Sequence, residues 1–194
     1  MSLKFYRRVA FGLSPNDKQD KDPLNWALSQ LNSIPDLLWP GTIPTEKELR
    51  KKYGEWVYGD REVLRKKLKT GERYFELNEH AIRHYQTRHS TQPVFERFWL
   101  FWGNHFAISE KDFLAEFSTG PYQREIIRPN MVKTFEEMVL SVTTSWCMIH
   151  HLDNSESFGP NSKKGMEWKE TINENHAREL LELHTVSPNA GYTQ

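Results

Sequence analysis

The sequence predicts an all-α fold, an irregular multi-helix domain with long loops. Three observations predict it. Apolar residues recur at helical spacing in several windows, strand-like alternation is nearly absent, and Pro and Gly fall mostly between the helical patterns. The 194 residues are enough for one domain with a real core, so residues 1–194 are read as a single helical domain. Aromatic residues make up 13% of the chain, with seven Trp, which argues for a packed interior over a disordered chain.

The elements follow in order. "DPLNWALSQLNS" sets Leu24, Ala27, Leu28 and Leu31 on one helical face behind an Asp-Pro start. "SIPDLLWPGTIP" is a Pro-rich loop. Thr45 and Glu48 form a capping box for "TEKELRKKYGEW". The charge-rich stretch 60–88 reads as helix with a kink at Gly71. Pro93 suits the first turn of a helix through His105, apolar nearly all round and therefore expected in the core. "RPNMVKTFEEMVLSVTTSWCMIH" gives one long helical pattern capped by Asn130. "DNSESFGPNSKKG" is a long loop, a length that often carries function. The last helix starts at a Thr171/Glu174 capping box and runs to about His184.

Charge and cysteine usage narrow the function classes. Lys+Arg and Asp+Glu balance at 26 each, which leaves no electrostatic footprint for nucleic acid or an acidic membrane surface. The single Cys147 excludes an internal disulfide and a multi-cysteine zinc site. "MSLKFYRRVAFGLSP" lacks the apolar stretch of a signal peptide, so the chain reads as cytoplasmic by default. Glu96, Arg97, Asn104 and His105 interrupt the most apolar window, so no membrane span is expected.

The stretch "NENHARELLELHT" holds the densest group of polar residues with chemical potential. On an α-helical wheel, Glu174, Arg178 and Glu182 form an i,i+4 ladder, worth about 0.2–0.5 kcal/mol per pair on a solvated face. Asn173, His176 and His184 fall instead on the side of Ala177, Leu180, Leu181 and Leu183. There they need hydrogen-bond partners. His105 shares the apolar side of Phe101 and Trp102, the usual setting of a satisfied core histidine. Asp153 and Asn154 follow a helix, where oxygen ligands and turn-making side chains are both common. Glu76, His80 and His84 line one helical stripe, but "HAIRH" lacks the glutamate of the zinc-protease motif, and the stripe reads as surface. Phosphate-binding glycine loops, nucleophile elbows and cysteine pairs are absent from the sequence.

Five segments together resemble one family. "FYRRVAFGLSP", "RFWLFWGNHFAIS", "YQREIIRPN", "HHLDNSESFGPNS" and "INENHARELLELHTVSPNAGYTQ" resemble, in order, the bacterial family catalogued as domain of unknown function 1800. Members of that family are typically far longer, and the resemblance implies that the chain is an N-terminal part or a truncated version. It implies export, as for many members, and carries no established activity. It also singles out His105, Asp153, Asn154, Asn173, Glu174, Asn175, Arg178, Glu179, Glu182 and His184 as a candidate polar site, expected to join the last helix, the "LDN" loop and His105 in a buried network.

Three functions are weighed on these residues. The first is a non-enzymatic interaction or structural module with a protein partner. The second is a metal-assisted hydrolase using Glu179, Glu182, His184 and Asp153 as ligands or acid–base groups, with Arg178 on an anionic substrate. Against it, His184 points well away from Glu179 and Glu182 on an ideal α-helical wheel. The third is a remnant without activity of its own. Cofactor, metal and oligomeric state stay open.

Overall fold

The computed structural model describes residues 3–13, 18–60, 62, 73–109 and 113–191, and among them the regular structure is helical, with no strand. Helix α1 spans Leu3–Val9 and α2 spans Pro23–Ser29. Asp22 caps α2 by accepting from the Asn25 amide, and Pro23 occupies the first helical position, where no amide hydrogen is needed. Helix α3, Glu46–Tyr58, opens on the expected capping box, in which Thr45 and Glu48 each accept from the other's amide. Helix α4 spans Arg73–His89, and the kink expected at Gly71 lies outside the described residues.

Helix α5, Pro93–His105, buries Val94, Phe95, Glu96, Trp99 and Gly103. Its outer face departs from expectation: Phe98 and Phe101 are 38% and 57% exposed. Helix α6, Phe113–Pro121, runs directly into a π-helix, Tyr122–Ile127, and a last turn α7, Arg128–Asn130. This run is the hub of the fold. Helices α3, α4 and α9 (Trp146–His151) pack on α6, while α5 and α8 (Phe135–Thr143) pack on the π-helix. Trp99, Phe106, Tyr122, Ile127, Met138, Val142, Cys147, Met148 and Leu152 form the main core. Two buried polar tips are satisfied in it: Trp99 donates to the Gln123 carbonyl and Tyr122 to the Phe106 carbonyl, both at 2.9 Å.

The long helix expected behind Asn130 is two helices. Thr134 and Glu137 form the capping box of α8, and Ser145 starts α9 by accepting from the Met148 amide. Between them the hydroxyls of Thr143 and Thr144 bond back to the carbonyls of Val139 and Leu140. Short hydroxyl side chains that compete for backbone groups favour such a break. Asn130 instead donates to the Ile126 carbonyl and accepts from Ser141. The expected loop after His151 holds a 3₁₀ turn, Asn154–Glu156, and the start of α10, Lys163–Trp168.

The last helix also differs. Thr171 is exposed and lies outside it; its carbonyl accepts from the Phe158 amide. Asn173 takes the turn-making role by accepting from the Asn175 amide at 3.0 Å. Helix α11 covers Asn175–Glu179 and passes into a second π-helix, Leu180–Thr185. Of the expected leucine face, Leu183 is 63% exposed, while His184 is buried. No helix among the described residues is long and apolar enough to cross a membrane.

Candidate functional site

Hydrogen bonds connect the "LDN" turn to the last helix in a continuous path. Asp153 stands in the left-handed region at φ 60°, which turns the chain out of α9. Asn154 accepts from the Ser157 hydroxyl at 3.1 Å, and Ser157 accepts from the Asn173 amide at 3.0 Å. Asn173 then accepts from Asn175, whose own side-chain oxygen accepts from Arg178 at 2.7 Å. Arg178 pairs with Glu179 at 3.3 Å. The path is half-buried over Asn154, Ser157, Asn173, Asn175 and Glu179 and exposed at Arg178; Glu174, outside the path, is exposed as well. Arg178 therefore turns to Asn175 and Glu179, its near neighbours. Beyond Glu179 the helix widens, so the four-residue ladder spacing ends there.

The widening matters for His184. A π-helix bonds i to i+5, so residues five apart lie above one another. Glu179 and His184 are five apart across the start of the second π-helix. They are thus brought toward one side, where an α-helix would have separated them. Thr185 supports the wide turn by donating its hydroxyl to the Leu180 carbonyl at 2.7 Å.

His184 is the anchor of this segment. Its ring is buried edge-on to Phe106, with centroids 5.4 Å apart, and its carbonyl accepts from His105 Nε2 at 3.1 Å. His105 in turn packs edge-on against Trp102. Burial pushes the His184 imidazole down to about 4, and the nearby imidazoles of His105, His176 and His151 push the same way. Burial also lowers His176, opposed by a hydrogen bond with the Thr143 backbone. Three buried side-chain atoms of the last helix lack a hydrogen-bond partner: His176 Nε2, Glu179 Oε2 and His184 Nδ1. Among the described residues, no three His, Cys, Asp or Glu side chains stand close enough to share an ion. His80 and His84 lie exposed on α4, away from this group.

A second, more deeply buried polar network was not anticipated. Arg124 holds Glu79 through two hydrogen bonds of 2.7 and 2.9 Å and donates to the Pro44 carbonyl. Arg128 holds Glu96 at 2.7 and 3.0 Å and donates to the Pro35 carbonyl. Gln86 joins this second pair, donating to Glu96 and to the Asp36 carbonyl and accepting from the Leu38 amide. The Arg128 guanidinium lies over Phe95 and Trp99, 4.9 and 4.6 Å from the ring centroids. Both arginines stand on the continuous run α6–π-helix–α7, so that run clamps α4, α5 and the loop before α3. Part of the sequence signal was available: the carboxylate of Glu96 sits inside the mostly apolar window "VFERFWLFW". Charges at such positions are almost never buried unless paired.

The fold and the two networks define a class: an all-α protein whose central helical run is locked by buried arginine–carboxylate pairs and whose last helix is tied down through histidine and asparagine contacts. The model of the family described as Protein of unknown function (DUF1800) matches residues 4–194, and the chain belongs to that family. Searches of curated proteins and of solved structures gave no match.

Proposed function

We propose that the chain is a non-enzymatic structural and interaction module, in which the segment from Asn173 to His184 is a polar clasp holding the last helix against α5, α9 and the "LDN" turn. One observation carries this reading. The side chains of Asn173, Asn175, Arg178 and Glu179 are engaged with one another and with backbone groups, in the path that starts at Asn154 and Ser157. Two clefts with volume for a small molecule, about 390 and 430 Å³, are lined by other residues. Exposed Trp168 and Tyr58 are of the residue types that anchor protein interfaces, which supports a protein partner. Thermal melting tests the clasp. Arg178→Ala and His184→Ala should each lower Tm by several degrees, since about 1 kcal/mol shifts Tm by roughly 2–4 °C at this chain size. Two variants melting like the wild type would remove the clasp.

One observation favours a second reading, the metal-assisted hydrolase. His176 Nε2, Glu179 Oε2 and His184 Nδ1 are buried without partners on neighbouring turns, and unpaired buried polar atoms call for an explanation. Two neutral imidazoles and a carboxylate suit a borderline divalent ion. The side chains would have to rotate to close on it. Elemental analysis of folded protein decides: a divalent ion near one per chain, lost in Glu179→Gln, favours this reading over the clasp.

A further inference from the structure

On a different face, α1 and α5 enclose a cleft of about 390 Å³ lined by Arg8, Val9, Arg97, Phe98 and Phe101. Its size falls in the range of small-molecule sites, and its lining has their usual character, apolar with few polar groups. Ala10, just after α1, and Val94 of α5 share a buried cluster with Ala27, and Phe5 and Val9 of α1 pack against it. Phe98 and Phe101 stand exposed on its wall. The Arg97 guanidinium lies 5.8 Å from the centroid of the Phe11 ring, which holds one cation at the rim.

The charge in this cleft is uncompensated. Among the described residues Arg50, Arg124, Arg128 and Arg178 each pair with a carboxylate, whereas Arg7 and Arg88 do not. Among the described residues, Arg8 and Arg97 pair with none. The reason lies in the two helices. α1 contains no acidic residue, and the only one on α5, Glu96, is turned into the core and held by Arg128. Two guanidiniums therefore border an aromatic-walled cleft whose own helices supply no counter-charge. A ligand carboxylate would supply it and could accept paired hydrogen bonds from the planar guanidiniums.

We propose that the cleft between α1 and α5 binds an amphipathic organic anion, an aryl or acyl carboxylate. Its carboxylate lies between Arg8 and Arg97, and its apolar body lies against Val9, Phe98 and Phe101. The site is separate from the clasp and stands whether or not that reading holds.

Isothermal titration of the full chain with 3-phenylpropionate and with octanoate tests it, with 3-phenyl-1-propanol as the uncharged control. At least one carboxylate should bind saturably at one per chain, and the alcohol at least about tenfold more weakly, for want of the charge-assisted bonds. Arg8→Gln combined with Arg97→Gln should weaken the carboxylate about tenfold or more while the melting temperature stays put, because both side chains are exposed. Phe101→Ala should weaken it several-fold through lost apolar contact. The proposal is overturned if neither carboxylate saturates the wild type, if the alcohol binds equally well, or if the double variant keeps full affinity. Binding to phosphatidylglycerol vesicles with none to the monomeric carboxylates would overturn it too, and would make the patch a membrane-facing one.

Discussion

Gly120 shows how much can rest on a missing side chain. A Cβ there would collide with the Glu79 side chain, the partner of Arg124. Gly120→Ala therefore sets two effects against each other. Helix propensity gains about 1 kcal/mol. Disturbing a buried ion pair costs about 3–5 kcal/mol when a partner is lost. The second should win, with a fall in Tm of at least several degrees. Gly54, on α3, has nothing within 4 Å of the same hypothetical atom, so Gly54→Ala should raise Tm slightly. Opposite signs for one chemical change, read by thermal melting, check the assignment. The pairing itself was hidden from the sequence. Glu96 was visible as a charge in an apolar window, but Arg128 lies 32 positions away along the chain, a separation that follows no helical spacing rule. The candidate residues of the last helix were close in sequence, so a local reading could gather them.

At the scale of the element, the sequence located the helices better than their ends. The capping box at Thr45 was legible because Thr and Glu three apart at a helix start is a local rule. The same rule misplaced the last helix at Thr171, where Asn173 intervenes, and it was overlooked at Thr134 in favour of Asn130. Single substitutions separate the true caps from the false one. Thr134→Ala should cost about 1 kcal/mol in a urea melt, whereas Thr171→Ala should leave stability within about 0.5 kcal/mol, as for an exposed residue with no special contact. Neither π-helix was legible. In the second, an extra residue per turn leaves composition and apolar spacing almost unchanged; His184 is buried, as its place on the leucine side implied, but Leu183 is left outside.

For the whole molecule, the clearest expectation concerns acid. His184 is buried with its imidazole pushed from about 6.5 down to about 4, and His176 is lowered as well. The groups facing His184 are His105 from α5, His151 from α9 and His176 from α11, and all of them oppose its charge. The native state keeps these rings neutral where the unfolded chain already binds protons. Stability from His184 is therefore complete above pH 6.5 and is lost as the pH falls toward 4, by on the order of 3 kcal/mol. Urea melts at pH 7 and pH 4.5 should show the loss, and His184→Gln should flatten it. An unchanged slope in that variant would assign the acid sensitivity elsewhere. At this scale the sequence was most informative. The helical class followed from apolar spacing, and family membership followed from five ordered segments. Both are properties of the entire chain and tolerate errors at single residues.

Cys147 is the chain's single thiol, and it lies buried on α9 beside a crevice of about 10 Å³. That crevice admits roughly one water molecule. Burial of the sulfur makes alkylation depend on opening of the structure around α9. The rate of labelling in native protein, divided by the rate in denaturant, therefore gives the fraction of time the interior stands open. The protein carries its own reporter of breathing, with no cysteine to introduce.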